Sequence, residues 1–154
     1  MENQASTSTT QLPLEVTMNL VNDKLHIIGK AGNNEPIHTD YIPPYGDNLG
    51  YMPLQLFLMS LGTCASGSIL LLLRKMQKTI NGLEVKASGV RRQTHPTSFE
   101  EVSLEFILTS PDVKAADMEK VIDMSEASIC PVWAMIKGNV TVKTSFRIIS
   151  PLDK

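Results

Sequence analysis

Two cysteines are the residues of this chain best suited to chemistry, and they stand in contrasting settings. Cys64 lies inside an uncharged run, Leu56-Phe57-Leu58-Met59-Ser60-Leu61-Gly62-Thr63-Cys64-Ala65-Ser66-Gly67-Ser68-Ile69-Leu70-Leu71-Leu72-Leu73, whereas Cys130 stands in Ser128-Ile129-Cys130-Pro131-Val132-Trp133. The thiolate is the reactive form of cysteine; apolar burial opposes it and the positive end of a helix favours it. On this local reading Cys130, just before a helix-starting proline, is the thiol better placed to ionise, and Cys64 is the harder one. The pair therefore suits different steps of redox chemistry.

The 154 residues fit a single domain, residues 12–154, long enough to bury a core without disulfides or metal. Residues 1–11 are polar and rich in Ser and Thr and read as a flexible tail. They lack the basic and apolar regions of a secretory leader, so a cytoplasmic location is expected, where a thiol pair is catalytic or redox-sensing rather than a standing disulfide. The net charge of -2, with basic residues only in short clusters such as Arg74-Lys75 and Arg91-Arg92, gives no stripe for phosphates, so no nucleic acid partner is expected. Leu49 to Leu73 carries no charge, and about 20 apolar residues cross a bilayer. Gly50, Pro53, Gln55, Ser60, Gly62, Thr63, Ser66, Gly67 and Ser68 dilute that stretch, which reads as a central buried helix and not a membrane span.

Apolar residues alternate with period two over Leu14–Leu20, Leu25–Gly29, Leu83–Ala87, Val102–Leu108 and Val140–Ile148, the pattern of half-buried strands. Asn22-Asp23 and His95-Pro96-Thr97-Ser98 mark hairpins, so antiparallel sheets are expected. Pro53 opens a helix running to about Gln77, ended by Asn81-Gly82; a second helix is expected over Lys114–Glu126, and a short third from Pro131 to Gly138-Asn139. Strand pairs and helices arrive in separate runs, which gives an α+β class with antiparallel sheets around the long cysteine-bearing helix.

On that helix Ser60, Thr63, Cys64, Gly67, Ser68 and Leu71 share one face, with Leu58, Leu61, Ala65, Ile69 and Leu72 behind it. Taken alone, such a stripe more often reflects close packing, with cysteine as a small hydrophobe. Cys64, Cys130, His38 and His95 lack the close pairing of zinc ligands, so no metal is expected, and no motif calls for a cofactor. Trp133 reads as packing.

The strand region before Pro53, the helix Leu56-Phe57-Leu58-Met59-Ser60-Leu61-Gly62-Thr63-Cys64, the later paired strands and helix, and Cys130-Pro131-Val132 together resemble the OsmC/Ohr family over about residues 14–149. The segment from Gly89 to Leu104 resembles a less characterised OsmC-like branch of it. The resemblance implies an intertwined α+β homodimer, with Cys64 as peroxidatic and Cys130 as resolving cysteine. It further implies reduction of organic hydroperoxides, favoured by the apolar Leu and Met wall, with an external dithiol restoring the thiols. The alternative is a non-catalytic protein on the same scaffold that binds a small apolar ligand or senses redox state. The chain departs from the family's peroxidases in having no arginine before Arg74, and in reading Pro53-Leu54-Gln55 where they carry an acid.

Overall fold

The computed structural model describes residues 11–151, so the expected tail falls outside it but for Gln11. The chain divides into two compact units, Met1–Pro53 and Leu54–Lys154.

The first unit is an antiparallel three-stranded sheet of order β1-β2-β3: β1 (Thr17–Leu20), β2 (Ile27–Lys30) and β3 (Ile37–Thr39). The turn expected at Asn22-Asp23 is present, held by the Asn22 side-chain oxygen, which accepts the backbone N–H of Lys24 at 3.0 Å and of His26 at 3.2 Å. After β3 the chain wraps around Asp40, whose side chain is 1% exposed. Its carboxylate accepts the N–H groups of Tyr41 (2.8 Å), Asp47 (3.0 Å) and Leu49 (3.1 Å), so one buried charge organises the whole following loop. Gly46 lies so close that a Cβ there would stand 2.2 Å from the Asp40 carboxylate, and only glycine fits.

Burial alone would push the Asp40 carboxyl up, but the N–H groups of Leu49, Asp47 and Tyr41 more than offset it and hold the group below the usual range. A depressed carboxylate stabilises the fold above its unfolded pKa, and that stabilisation fades as pH falls through its lower folded value. Asp40→Ala is therefore expected to strip hydrogen-exchange protection from the amides of Tyr41, Asp47 and Leu49 while leaving the β1–β2 amides protected. Unchanged protection in the loop would refute the hub.

The second unit opens with α1 (Pro53–Lys75). Proline fits its first position because no N–H is needed there. Arg74 and Lys75 complement its last turn. The helix stops before the expected Gln77 because Gln77 itself turns left-handed, φ 59°, with its N–H on the Arg74 carbonyl (2.9 Å) and the Lys78 N–H on Leu73 (3.0 Å). That is a Schellman cap, formed here by a glutamine.

A sheet of order β4-β5-β6 follows, from β4 (Gly82–Arg91), β5 (Phe99–Thr109) and β6 (Thr141–Ile149). The β4–β5 hairpin is antiparallel, with Leu83 opposite Leu108 and Ala87 opposite Leu104. The expectation of antiparallel pairing fails for β6, which runs parallel to β5, Val102 beside Val142 and Phe106 beside Phe146. The reason is the connection: α2 (Ala115–Met124), a π-helical turn (Ser125–Ile129) and α3 (Pro131–Ile136) form a crossover that returns the chain to the starting end of β5.

Inward-facing residues of β5 (Val102, Leu104, Phe106, Leu108) join Leu61, Ala65, Ile69 and Leu73 of α1, Met118 and Val121 of α2, and Trp133 of α3 in one buried cluster. Each large apolar side chain buried this way contributes roughly 1.5–3 kcal/mol. The opposite side of the sheet carries cross-strand ion pairs, Glu101 with Lys143 (2.7 Å) and Glu105 with Arg147 (2.9 Å). By length and composition α1 is able to cross a membrane, yet its Leu61, Ala65, Ile69 and Leu73 face is core. The end of α1 is tied to the start of α2: Thr79 N–H donates to Asp112 (2.9 Å), and Lys78 pairs with Asp117 (2.8 Å). These ties set how α1 and the crossover that carries Cys130 lie together.

Candidate active site

Cys64 sits near the middle of α1, half-buried against the core cluster. The hydroxyls near it are turned onto their own helix: Ser66 donates to the Gly62 carbonyl (2.6 Å) and Ser68 to the Cys64 carbonyl (3.1 Å). Of the small-residue stripe, Ser68 is buried, while Ser60, Thr63, Gly67 and Leu71 are exposed.

Cys130 is 2% exposed and is fixed from several sides. Its backbone is extended, φ -78° and ψ 107°, as an N-cap requires. Its N–H donates to the Ser125 carbonyl across the π-helical turn (2.9 Å), its carbonyl accepts from Ala134 (3.0 Å), and its Sγ accepts the Trp133 N–H (3.4 Å). The sulfur thus takes the capping place usually filled by a side-chain oxygen.

The crossover brings Cys130 into the same buried cluster against which Cys64 packs, and both are free thiols. The local expectation that its helix end helps Cys130 to ionise meets a larger opposing effect. Burial, and next the hydrogen bond with Cys64, push Cys130 up to about 11, and the N–H groups of Trp133 and Val132 pull it back only in part. The helix end is real, but loss of water outweighs it.

A thiol raised in this way adds stability that is complete below its unfolded pKa and is lost as pH rises through the folded one. Between about pH 9 and 11 the unfolding free energy should fall by on the order of 2 kcal/mol more than in Cys130→Ala. Parallel pH curves for the two proteins in urea unfolding would refute this.

His38 meets His26, with Nε2 of His26 and Nδ1 of His38 at 2.9 Å. The ring centroids are 5.2 Å apart, which is the N–N distance plus about 1.1 Å from each nitrogen to its ring centre, so the nitrogens point head-on. This is a shared N–H···N bond, and two nitrogens aimed at each other do not chelate a metal. Among cations, Lys24 pairs with Asp47, and Arg91 donates to the Thr97 carbonyl (2.9 Å).

Sequence reasoning did not find Ser125 or the Trp133 N–H, which together fix Cys130. The signal for Trp133 was present in its place three residues after a cysteine N-cap. Nothing local marks the π-helical turn. The Ser125 hydroxyl is, among the described residues, the buried side-chain oxygen left without a hydrogen-bond partner.

Comparison with known proteins bears on this site. Protein YhfA of Escherichia coli K12 is 29% identical over 98 residues, covering 64% of this chain and 73% of YhfA. Among solved structures, a hypothetical protein from Aquifex aeolicus superimposes with a TM-score of 0.79 at 23% identity, covering 91% of this chain and 98% of that one. An organic hydroperoxide resistance protein OsmC from Legionella pneumophila does so at 0.68 and 17% identity, over 88% and 96%. At these identities the structures speak for the shared fold. The family model for OsmC-like protein matches residues 46–145, which hold Cys64, Cys130 and the whole crossover between β5 and β6. This chain is a member of the OsmC-like protein family.

Proposed function

We propose that the protein reduces organic hydroperoxides through Cys64 and Cys130, working as a homodimer and recharged by an external dithiol. The observation that carries this reading is a pair of free thiols, one half-buried on a long helix and the other buried in the core cluster against which that cysteine packs. The Cys64 thiolate takes the distal oxygen of the hydroperoxide; the O–O bond breaks, and the alkoxide leaves to become an alcohol. Cys130 then attacks the sulfenic sulfur, water departs and a disulfide forms, which the dithiol reduces to two thiols. The apolar side chains along α1 favour an organic substrate over hydrogen peroxide. The test is consumption of cumene hydroperoxide with a dithiol donor; a rate no greater than that of Cys64→Ser would sink the proposal.

Two surfaces support self-association. In the first unit Leu12, Leu14, Val16, Met18 and Leu20 form an alternating apolar row that is exposed throughout. On α1 the exposed Ser60, Thr63, Gly67 and Leu71 form a narrow small-residue stripe suited to close helix approach. A Cβ at Gly67 meets nothing within 4 Å of its own chain. Gly67→Leu is therefore expected to leave each chain folded, with unchanged circular dichroism, yet to shift the protein to a monomer in sedimentation. A dimer that tolerates leucine there would exclude α1 from the interface.

A further inference from the structure

We propose that the imidazoles of His26 and His38 form an acid-sensitive latch in the first unit, which holds while one of their facing nitrogens is bare and opens when both carry hydrogen. This latch is independent of the thiol chemistry. Its basis is a direct bond: Nε2 of His26 and Nδ1 of His38 stand 2.9 Å apart, head-on, with the ring centroids 5.2 Å apart. A contact of that kind has room for one hydrogen, donated by one ring and accepted by the other.

Counting hydrogens gives the latch its threshold. The two rings have four nitrogens, two facing each other and two pointing outward. When both rings are neutral they carry two N–H hydrogens, one shared and one outside. A first added proton fills the remaining outer nitrogen, and the shared bond becomes charge-assisted and stronger. A second has no place left except the contact itself, where two N–H groups on two charged rings would point at each other. The pair therefore tolerates one added proton and not two.

The surroundings suit that count. His26 is 9% exposed, whereas His38 is exposed and shares an open cleft with Ile37, Leu49 and Tyr51, so solvent protons reach the pair through His38. Asp40 stands two positions after His38, the spacing that puts side chains on one face of an extended chain, and its buried carboxylate attracts charge on His26. Lys24, two residues before His26, is turned onto Asp47 and is drawn by Asp23 as well. The phenol of a tyrosine such as Tyr51 carries no charge in acid. One carboxylate beside the pair balances one added charge and leaves a second opposed.

The rings also join distant parts of the unit. His26 ends the β1–β2 turn, where its N–H donates to Asn22 (3.2 Å) and its carbonyl accepts from Val21 (2.9 Å). His38 belongs to β3, and its carbonyl accepts the Tyr51 N–H at 3.0 Å, just before α1 begins at Pro53. Parting of the rings therefore loosens β3 where it holds Tyr51, while Asn22 keeps the turn.

Hydrogen exchange of the Tyr51 amide, corrected for the intrinsic effect of pH, tests the latch in wild type, His38→Gln and His26→Gln. Glutamine donates and accepts hydrogen bonds but takes up no proton. From about pH 7 to about pH 5, within the span where histidine titrates, wild-type protection of Tyr51 should fall about tenfold, the scale of one hydrogen bond. Either variant should change by less than about twofold on that scale. Constant protection in wild type, or an equal fall in His38→Gln, overturns the proposal; if His26→Gln does not fold, the variant at the exposed His38 decides. Nitrogen NMR of the wild-type rings is the second measurement. One facing nitrogen should be bare while Tyr51 is protected, and both should carry hydrogen once protection is lost. Two fully protonated rings with Tyr51 still protected would also overturn the latch.

Discussion

Cys64→Ser should abolish hydroperoxide consumption, a loss of about 10³-fold or more, since removing an attacking atom takes away the reaction and not merely part of its efficiency. Cys130→Ser should behave differently. It retains the attacking sulfur, so it should consume close to one equivalent of hydroperoxide and then stop, with one added oxygen on Cys64 by mass. The contrast between no turnover and a single turnover distinguishes the two roles. The opposite pattern, with one equivalent consumed in Cys64→Ser, would assign attack to Cys130. That outcome is disfavoured by burial, because Cys130 is 2% exposed and held protonated up to about pH 11.

Phe106→Ala should remove roughly 3–5 kcal/mol of stability, by lost transfer free energy and by the cavity left between strands that relax only in part. Phe106 is fully buried on the central strand, opposite Val85 of β4 and beside Phe146 of β6. Small domains have about 5–15 kcal/mol in total, so the variant approaches the limit of folding. Arg147→Ala, which breaks the exposed pair with Glu105, should cost at most about 1 kcal/mol. Urea unfolding followed by Trp133 fluorescence compares them directly. If the two variants lose similar amounts, the sheet is not held chiefly by its inner face.

The elements that sequence revealed are those whose signal is local. The start of α1 at Pro53 needed only a proline before a long apolar run. The β4–β5 hairpin needed only two alternating segments around His95-Pro96-Thr97-Ser98. What escaped depends on distant partners. β3 spans three residues, Ile37–Thr39, too few to show a period, and it exists because β2 lies beside it. The direction of β6 is invisible in its alternation, since period two is the same for either orientation; the crossover decides it. The end of α2 was expected as ordinary helix to Glu126, and the π-helical turn of Ser125–Ile129 takes its place.

The site follows the same rule. Both cysteines stood out as the candidate chemistry of the chain, and the proline after Cys130 marked the start of α3. The helix end that favours ionisation of Cys130 is written in neighbouring residues, whereas the desolvation that opposes it comes from the buried cluster that Cys130 joins. The cluster that both cysteines reach came from the fold.

The parallel placement of β6 also bears on the order in which the molecule assembles. The β4–β5 hairpin closes between near neighbours in sequence, whereas β6 must find β5 across the whole crossover, with Glu101 beside Thr141. Chain-closure entropy makes such distant pairing the slow event of folding. Cys130 lies inside that crossover, so the thiol pair is completed when the last strand docks. A nascent or half-folded chain then carries its two cysteines apart, and the core they share is a mark of finished folding.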